Sequence, residues 1–323
     1  MNAPHRSGVL VAGSANLDFV VRAARIPTPG ETVLGHGFAT YPGGKGANQA
    51  VACARAGGVP TRMLLALGDD PFAEPIEASL RGAGVDCEIV RIAHAPTGTA
   101  FICVSDDAEN AITVAPGANA ALAPAHLRSF DGASHLLMQL ETPVDTVADF
   151  ARRARAANVR VVLNAAPAQA LEPGLLACVD VLVVNEGELA QLAGDRGGIA
   201  ANLDRLGNDC VVVTLGARGC VARHAGRVFA LPAFAVDAVD TTAAGDTFCG
   251  VLVAALAREA ALHDALHEAA AAAALACTRA GAQDSVPRRD EVLALLAQAP
   301  APADDAVRAL RAYCGFAREY ATA

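Results

Sequence analysis

The chain alternates short runs of branched apolar residues with alanine-rich stretches of helical length, almost from end to end. Val-Leu-Val at 9–11, Met-Leu-Leu-Ala-Leu at 63–67, Val-Val-Leu at 161–163, Val-Leu-Val-Val at 181–184 and Val-Val-Val at 211–213 have the length of strands. Strands are expected over residues 8–13, 63–67, 88–92, 135–139, 160–163, 179–184 and 210–215, and helices over 49–55, 72–83, 145–157, 188–192 and 248–256. Repeated βα units of this kind predict a mostly parallel sheet with helices on both faces, an α/β fold. Composition agrees. Hydrophobic residues make up 53% but aromatics only 4%, with no Trp, and a core of Ala, Val and Leu suits such a sheet.

Two stretches break the alternation. Residues 19–41 hold two Pro and three Gly among short β-like runs and give no helix signal. Residues 97–104 and 111–115 read as a hairpin joined by the acidic turn 105–110. Together they predict a small β excursion from the main sheet. After the Ala-Pro-Ala-Pro-Ala hinge at 299–303, Val307, Leu310, Tyr313 and Phe316 recur every third residue and predict a short docked helix.

Several function classes are disfavoured. The formal net charge is −9 with no basic cluster, which argues against nucleic acid as a partner. The nine Cys are odd in number and never spaced C-x-x-C, so free buried thiols in a reducing compartment are expected rather than disulfides or a zinc site. The N-terminal apolar run meets Asn16 and Asp18 at once, too short for a signal or a membrane span, and charged and His residues flank 269–274. A soluble cytoplasmic protein is the expectation.

Chemistry concentrates in Val-Asp-Thr-Thr-Ala-Ala-Gly-Asp-Thr-Phe, residues 239–248. Ala243, Ala244 and Gly245 stand directly before Asp246 and an apolar helical run. Between a loop and a helix, such residues aim free backbone N–H groups at one point and bind an anion. A carboxylate there would repel the anion, unless it serves as a general base for a hydroxyl attacking phosphorus. An ordinary N-cap aspartate is the plainer alternative. Polar residues Asn16 and Asp18 follow the first strand, at the usual ligand edge of an open sheet, and Glu141 follows the strand at 135–139. Pro42-Gly43-Gly44-Lys45-Gly46-Ala47-Asn48 opens a helix; it lacks the Ser or Thr of a Walker loop, and suits close approach of a small polar ligand.

Taken in order, these residues carry a resemblance. GSANLD at 13–18, GGKGANQAVA at 43–52, TGTAFICV at 97–104, LMQLETP at 137–143, NAAPA at 164–168, NEGE at 185–188, TLGARG at 214–219, DTTAAGDTF at 240–248 and GAQDSVP at 281–287 are similar to motifs of the ribokinase branch of the ribokinase/PfkB-type carbohydrate kinases. The resemblance runs from about residue 9 to 295. It implies a three-layer αβα fold over residues 1–16, 43–96 and 116–298. A small β-sheet lid at 17–42 and 97–115 would cover the sugar, and 299–323 would form a C-terminal extension. It implies ATP-dependent phosphorylation of D-ribose at the 5-hydroxyl. Asp246 would be the base, with Ala244 and Gly245 in the anion hole. Asn16, Asp18, Gly44, Lys45, Gly46, Ala47, Asn48 and Glu141 would hold the sugar. Asn185, Glu188, Thr214, Gly216, Gly219 and Gly245 would take ATP with its Mg²⁺. Asp240, Thr242, Ala276, Arg279, Gly281 and Ser285 would hold an activating K⁺, and the lid would build a homodimer. Glu186 reads as a solvated neighbour. The chain departs from the family at Ala243, commonly Gly, and at Ala270, where many relatives place an Asn against adenine. Another sugar or a nucleoside as substrate, and a non-catalytic sugar-binding protein, are the alternatives.

Overall fold

The computed structural model describes residues 7–316 apart from 108, 195 and 196, so residues 1–6 and 317–323 of the expected domains lie outside the described residues. In chain order the elements are β1 (Gly8–Ala12), β2 (Asn16–Ala23), β3 (Gly35–Gly43), α1 (Lys45–Val51), β4 (Thr61–Gly68), α2 (Ala73–Gly82), β5 (Asp86–Ile92), β6 (Gly98–Ser105), β7 (Asn110–Ala115) and β8 (Ala133–Met138). They continue with α3 (Val144–Ala156), β9 (Arg160–Asn164), α4 (Pro173–Leu176), β10 (Val181–Asn185), α5 (Glu186–Ala193), α6 (Gly198–Arg205), β11 (Cys210–Thr214), β12 (Cys220–His224), β13 (Arg227–Leu231), α7 (Ala244–Ala257), α8 (Leu262–Cys277), α9 (Arg289–Gln298) and α10 (Asp304–Tyr313).

Nine strands form the central sheet in the order β13-β12-β11-β10-β9-β8-β1-β4-β5. All neighbours from β5 to β11 are parallel, and β12 and β13 add an antiparallel edge. The α/β reading of the sequence therefore holds. The β12–β13 hairpin and α9 are additions to the sequence pattern, the hairpin because it follows a glycine turn without an intervening helix.

Alternate residues of a strand face opposite sides, so each strand feeds two cores. Val9, Val11, Met63, Leu65, Val183 and Val212 pack with α1, α7 and α8 on one face. Leu10, Ala12, Leu64, Leu136, Leu182 and Val213 pack with residues of α3, α5, α6 and α10 on the other. Helix α10 docks through Leu310 and Cys314, spaced i and i+4, while Tyr313 stays exposed, which corrects the every-third-residue spacing. Among the described residues no helix is long and apolar enough to cross a membrane.

Chain order reverses between β1 and β8: β4 and β5 continue on one side, β8 to β11 on the other. Such a switch point leaves a crevice at the carboxyl ends of the strands, where ligands of open α/β sheets bind. Helix α7 lies against β1 and β8, with α1 and α8 beside it. A second sheet, β3-β2-β6-β7, rises from the same edge. Its strand β2 begins at Asn16, so Asn16 and Asp18, two residues apart, share one face of this sheet.

Candidate active site

Backbone crowding brings the motifs together. Helix α1 starts at Lys45, four residues earlier than the sequence pattern suggested, because the glycines before it let it press against the β1–β2 junction. A Cβ at Gly44, whose φ is +88°, would stand 2.7 Å from the Asn16 nitrogen; one at Gly46 would stand 2.6 Å from that of Ser14. A side chain at Gly43 would displace the Asp18 carboxylate. Glu141, just past β8, clamps this junction. It accepts from the Ser14 hydroxyl at 2.5 Å and from the Lys45 amide at 3.1 Å. Asn119 donates to the Asn16 side-chain oxygen at 2.8 Å and accepts from the Ala15 amide at 3.0 Å.

Helix α7 likewise begins earlier than the apolar run, at Ala244, so Asp246 sits inside its first turn. Ala243 precedes it with φ 56° and ψ 11°, a left-handed conformation that glycine adopts at less cost. The amide of Ala244, expected in the anion hole, donates to the Thr241 carbonyl at 3.3 Å. The amides of Gly245 and Asp246 have no partner among the described residues, and a Cβ on Gly245 would project into open space. A phosphate can therefore come close to this helix end.

Asp246 is 9% exposed. Its Oδ2 accepts from Asn48 Nδ2 at 3.0 Å and its Oδ1 from Gln49 Nε2 at 2.9 Å, so α1 and α7 meet at this carboxylate. It borders a cavity of about 160 Å³ that is also lined by Lys45, Asn164, Asn185, Glu188, Thr214, Gly245 and Cys249. The Lys45 ammonium is held above its ordinary value, first by Asp246 and then, against the cost of burial, by Glu141 and Glu188. Asp18 is pushed up to about 7 by burial, reinforced by the charges of Glu141 and Asp246. Burial also raises Glu188, in spite of the Asn185 amide and Lys45.

Asn185 and Glu188 form a reciprocal cap on α5. The Glu188 amide donates to Asn185 Oδ1 and the Asn185 amide to Glu188 Oε2, each at 2.8 Å. The pair thus shapes its helix as well as facing the cavity. Gly216 and Gly219 are not among the residues lining it. They close the turn after β11, and at Gly219 (φ +109°) a Cβ would stand 2.1 Å from the Leu231 carbonyl oxygen. Glu186, read as solvated, accepts from the Tyr313 hydroxyl at 2.9 and 3.0 Å. Around α7, Asp240 joins two loops, accepting from the Thr242 amide at 2.9 Å and the Gly281 amide at 3.0 Å. Ser14, Gln49, Gln139 and Asn164 stand inside the quoted motifs and Asn119 between two of them, yet sequence reasoning gave them no role. Their contacts cross between elements far apart in the chain.

Comparison with known proteins agrees with this geometry. The profile of the pfkB family carbohydrate kinase matches residues 6–289. A ribokinase of Haemophilus influenzae is 38% identical over 306 residues, covering 91% of this chain and 100% of that protein. The structure of an Arabidopsis thaliana ribokinase complexed with ribose and ATP superposes with a TM-score of 0.82 at 32% identity, covering 90% of this chain and 99% of the other. A Methanocaldococcus jannaschii nucleoside kinase shares the fold, with a TM-score of 0.81 at 20% identity over 92% of this chain and 100% of its own. A carboxylate on a helix's first turn, free amides beside it and a match spanning most of the chain lead to one assignment: the chain belongs to the pfkB family of carbohydrate kinases.

Proposed function

We infer that this kinase transfers the γ-phosphoryl group of ATP to the 5-hydroxyl of D-ribose, giving ribose 5-phosphate. The observation that carries the reading is the buried Asp246 carboxylate between Lys45 and the partnerless amides at the start of α7. The relatives named ribokinase, one holding ribose and ATP, support the sugar; likeness to the nucleoside kinase extends to the fold alone. A non-catalytic sugar binder has no use for a carboxylate at an anion site.

The roles follow from the chemistry. Asp18 accepts hydrogen bonds from vicinal hydroxyls, and Asn48 Oδ1, buried without a partner among the described residues, supplies a further acceptor. Asn16, Gly44, Lys45, Gly46, Ala47 and Glu141 complete the sugar pocket. Asp246 takes the proton of the attacking hydroxyl while the new O–P bond forms and the bond to the leaving ADP oxygen breaks. The Gly245 amide receives phosphoryl charge, joined by that of Ala244 when its long turn bond yields. Among the described residues no cluster of three or more His, Cys, Asp or Glu could hold a metal. Asn185 and Glu188 would face a Mg²⁺ ion brought in with the nucleotide, and the ion would supply neutralisation of phosphate charge. Thr214 borders the nucleotide in the cavity, and Gly216 and Gly219, in the turn after β11, lie where the nucleotide would extend beyond it.

Two finer readings belong to the same proposal. The carbonyls of Asp240, Thr242, Arg279 and Gly281 accept no hydrogen bond among the described residues, and Asp240 adds a negative charge. With Ala276 and Ser285 they suit a large monovalent cation such as K⁺, which would fix the loops behind the anion hole. The lid carries an exposed apolar stripe, with Phe38 66% and Phe101 55% exposed beside Phe19. A second copy of the chain covering it would make a homodimer. Nine free thiols fit a reducing compartment, the cytoplasm.

Four outcomes are expected. Asp246→Asn should keep sugar and ATP binding in calorimetry while turnover falls roughly 10²–10⁴-fold; retention of more than half the activity removes the base. Asp18, raised in the fold, loses stability for the apo protein as pH climbs from its unfolded value toward about 7. Asp18→Asn should therefore raise the apo melting temperature more at about pH 8 than at about pH 5, and weaken ribose binding; an equal gain at both pH values would contradict the burial of the charge. K⁺ should raise the rate above that in Na⁺ at matched ionic strength, and Asp240→Ala should abolish the difference; equal rates with ion-free wild-type enzyme count against the site. Light scattering should find a dimer that Phe101→Glu converts to monomers, whereas a monomeric wild type would refute the lid interface.

A further inference from the structure

The amides behind Asp246 form a chain whose direction is fixed by groups that can only accept. It begins at the Val183 carbonyl of β10, which accepts from Asn164 Nδ2 at 3.2 Å. That contact turns Asn164 Oδ1 toward Gln49, whose Nε2 donates to it at 3.0 Å and to Asp246 Oδ1 at 2.9 Å. With its NH₂ group committed to two acceptors, Gln49 offers only Oε1 on the other side. There it accepts from Gln139 Nε2 at 2.6 Å. Gln49 is 0% and Gln139 1% exposed. Burying two primary amides is costly unless they are paired, and Gln139 Oε1 has no partner among the described residues, so keeping both here calls for a reason.

The charges around Asp246 supply one. Asp18 on β2, Glu141 beyond β8 and Glu188 on α5 share the pocket, with Cys249 one turn along α7, while Lys45 on α1 is the cation facing them. In so charged a pocket the Asp246 carboxylate needs hydrogen-bond donors that hold its two oxygens in place. Neutral donors stabilise the ionised form without adding a counter-charge that would compete for phosphate. Asn48 supplies one, but it also faces the sugar. Gln49 is wholly withdrawn from substrate, and its orientation is set from behind.

We propose that Gln49 is a positioning residue that holds the Asp246 carboxylate aimed at the sugar hydroxyl, that Asn164 fixes which end of the Gln49 amide faces the carboxylate, and that position 139 preserves this as long as its side chain does not claim the Gln49 NH₂ group. The proposal rests on Asp246 being the base. Its particular consequence concerns Gln139→Glu. A carboxylate at 139 presents acceptors to Gln49 Oε1, pulls the NH₂ group round and turns a carbonyl toward Asp246 Oδ1. Gln139→Leu leaves Gln49 free to keep its orientation toward Asn164 and Asp246.

The test measures kcat, both KM values, melting temperature and the pH profile for Gln49→Met, Gln139→Glu, Gln139→Leu and Asp246→Asn. Gln49→Met and Gln139→Glu should lower kcat about 10- to 100-fold near neutral pH, the range of one hydrogen bond to a charged group, with both KM values little changed. Both should move the acid limb of kcat upward by about one pH unit, and Gln139→Leu should do neither. An unmoved acid limb in Gln49→Met overturns the proposal. So does an equal loss in Gln139→Leu and Gln139→Glu at equal melting temperature, which marks a packing role alone. If Asp246→Asn stays active, the base assignment itself fails; if only Asp246→Asn is inactive, the positioning role fails by itself.

Discussion

Helix α1 and helix α7 meet at one carboxylate, and the site depends on that contact. Asp246 holds Asn48 and Gln49 of α1 through its two oxygens, across a chain separation of almost two hundred residues. The approach is possible because small residues line the seam: a Cβ on Gly250 of α7 would stand 2.5 Å from the Gln49 carbonyl oxygen and 2.6 Å from the Ala52 methyl. Tight packing lets buried amides reach a buried charge at hydrogen-bonding distance, and leaves little room for water between the helices. The scarcity of aromatic residues has the same origin, since large rings would force these alanine- and glycine-rich faces apart.

The same contact places the binding groups relative to one another. Glu141 ties the start of α1 to the β1–β2 junction, from which the lid strand carrying Asp18 departs. The groups proposed to bind the sugar from the second sheet and the proposed base on α7 are thereby referred to one rigid element. Phosphoryl transfer makes little demand on covalent chemistry and a large one on placement, so rigidity here serves the reaction. Burial has an opposite effect on Asp18, whose carboxyl is raised to about 7 in the unliganded fold. A pocket that holds several carboxylates destabilises itself, and hydroxyl groups of the proposed sugar would relieve that cost.

The C-terminal helix shows a smaller version of this economy. Tyr313 of α10 donates to Glu186 at the start of α5, and the Arg218 guanidinium lies 4.3 Å from the centre of its ring. The last described helix thus ties together the start of α5 and the turn that follows β11, while Leu310 and Cys314 seat it on the core. These contacts are exposed, and each is weak alone.

The sequence by itself determined the α/β class, the mostly parallel character of the main sheet and the strands of the small second sheet, because alternation of apolar runs and turns is a local property. It also singled out Asn16, Asp18, Lys45, Asn48, Glu141 and Asp246, since glycine spacing and polar residues at strand ends mark such positions. Helix starts were misread at α1 and α7: Lys45 and Ala244 lie in the first turn because distant backbone lets glycine and alanine pack there, which no local pattern records. The β12–β13 edge and the docking face of α10 were likewise decided by what the sheet left uncovered. The roles of Gln49, Gln139 and Asn164 lay beyond the sequence for a plain reason. A hydrogen bond needs two groups within about 3 Å, and only the reversal of strand order between β1 and β8 brings α1, α7 and the ends of β8, β9 and β10 to one place.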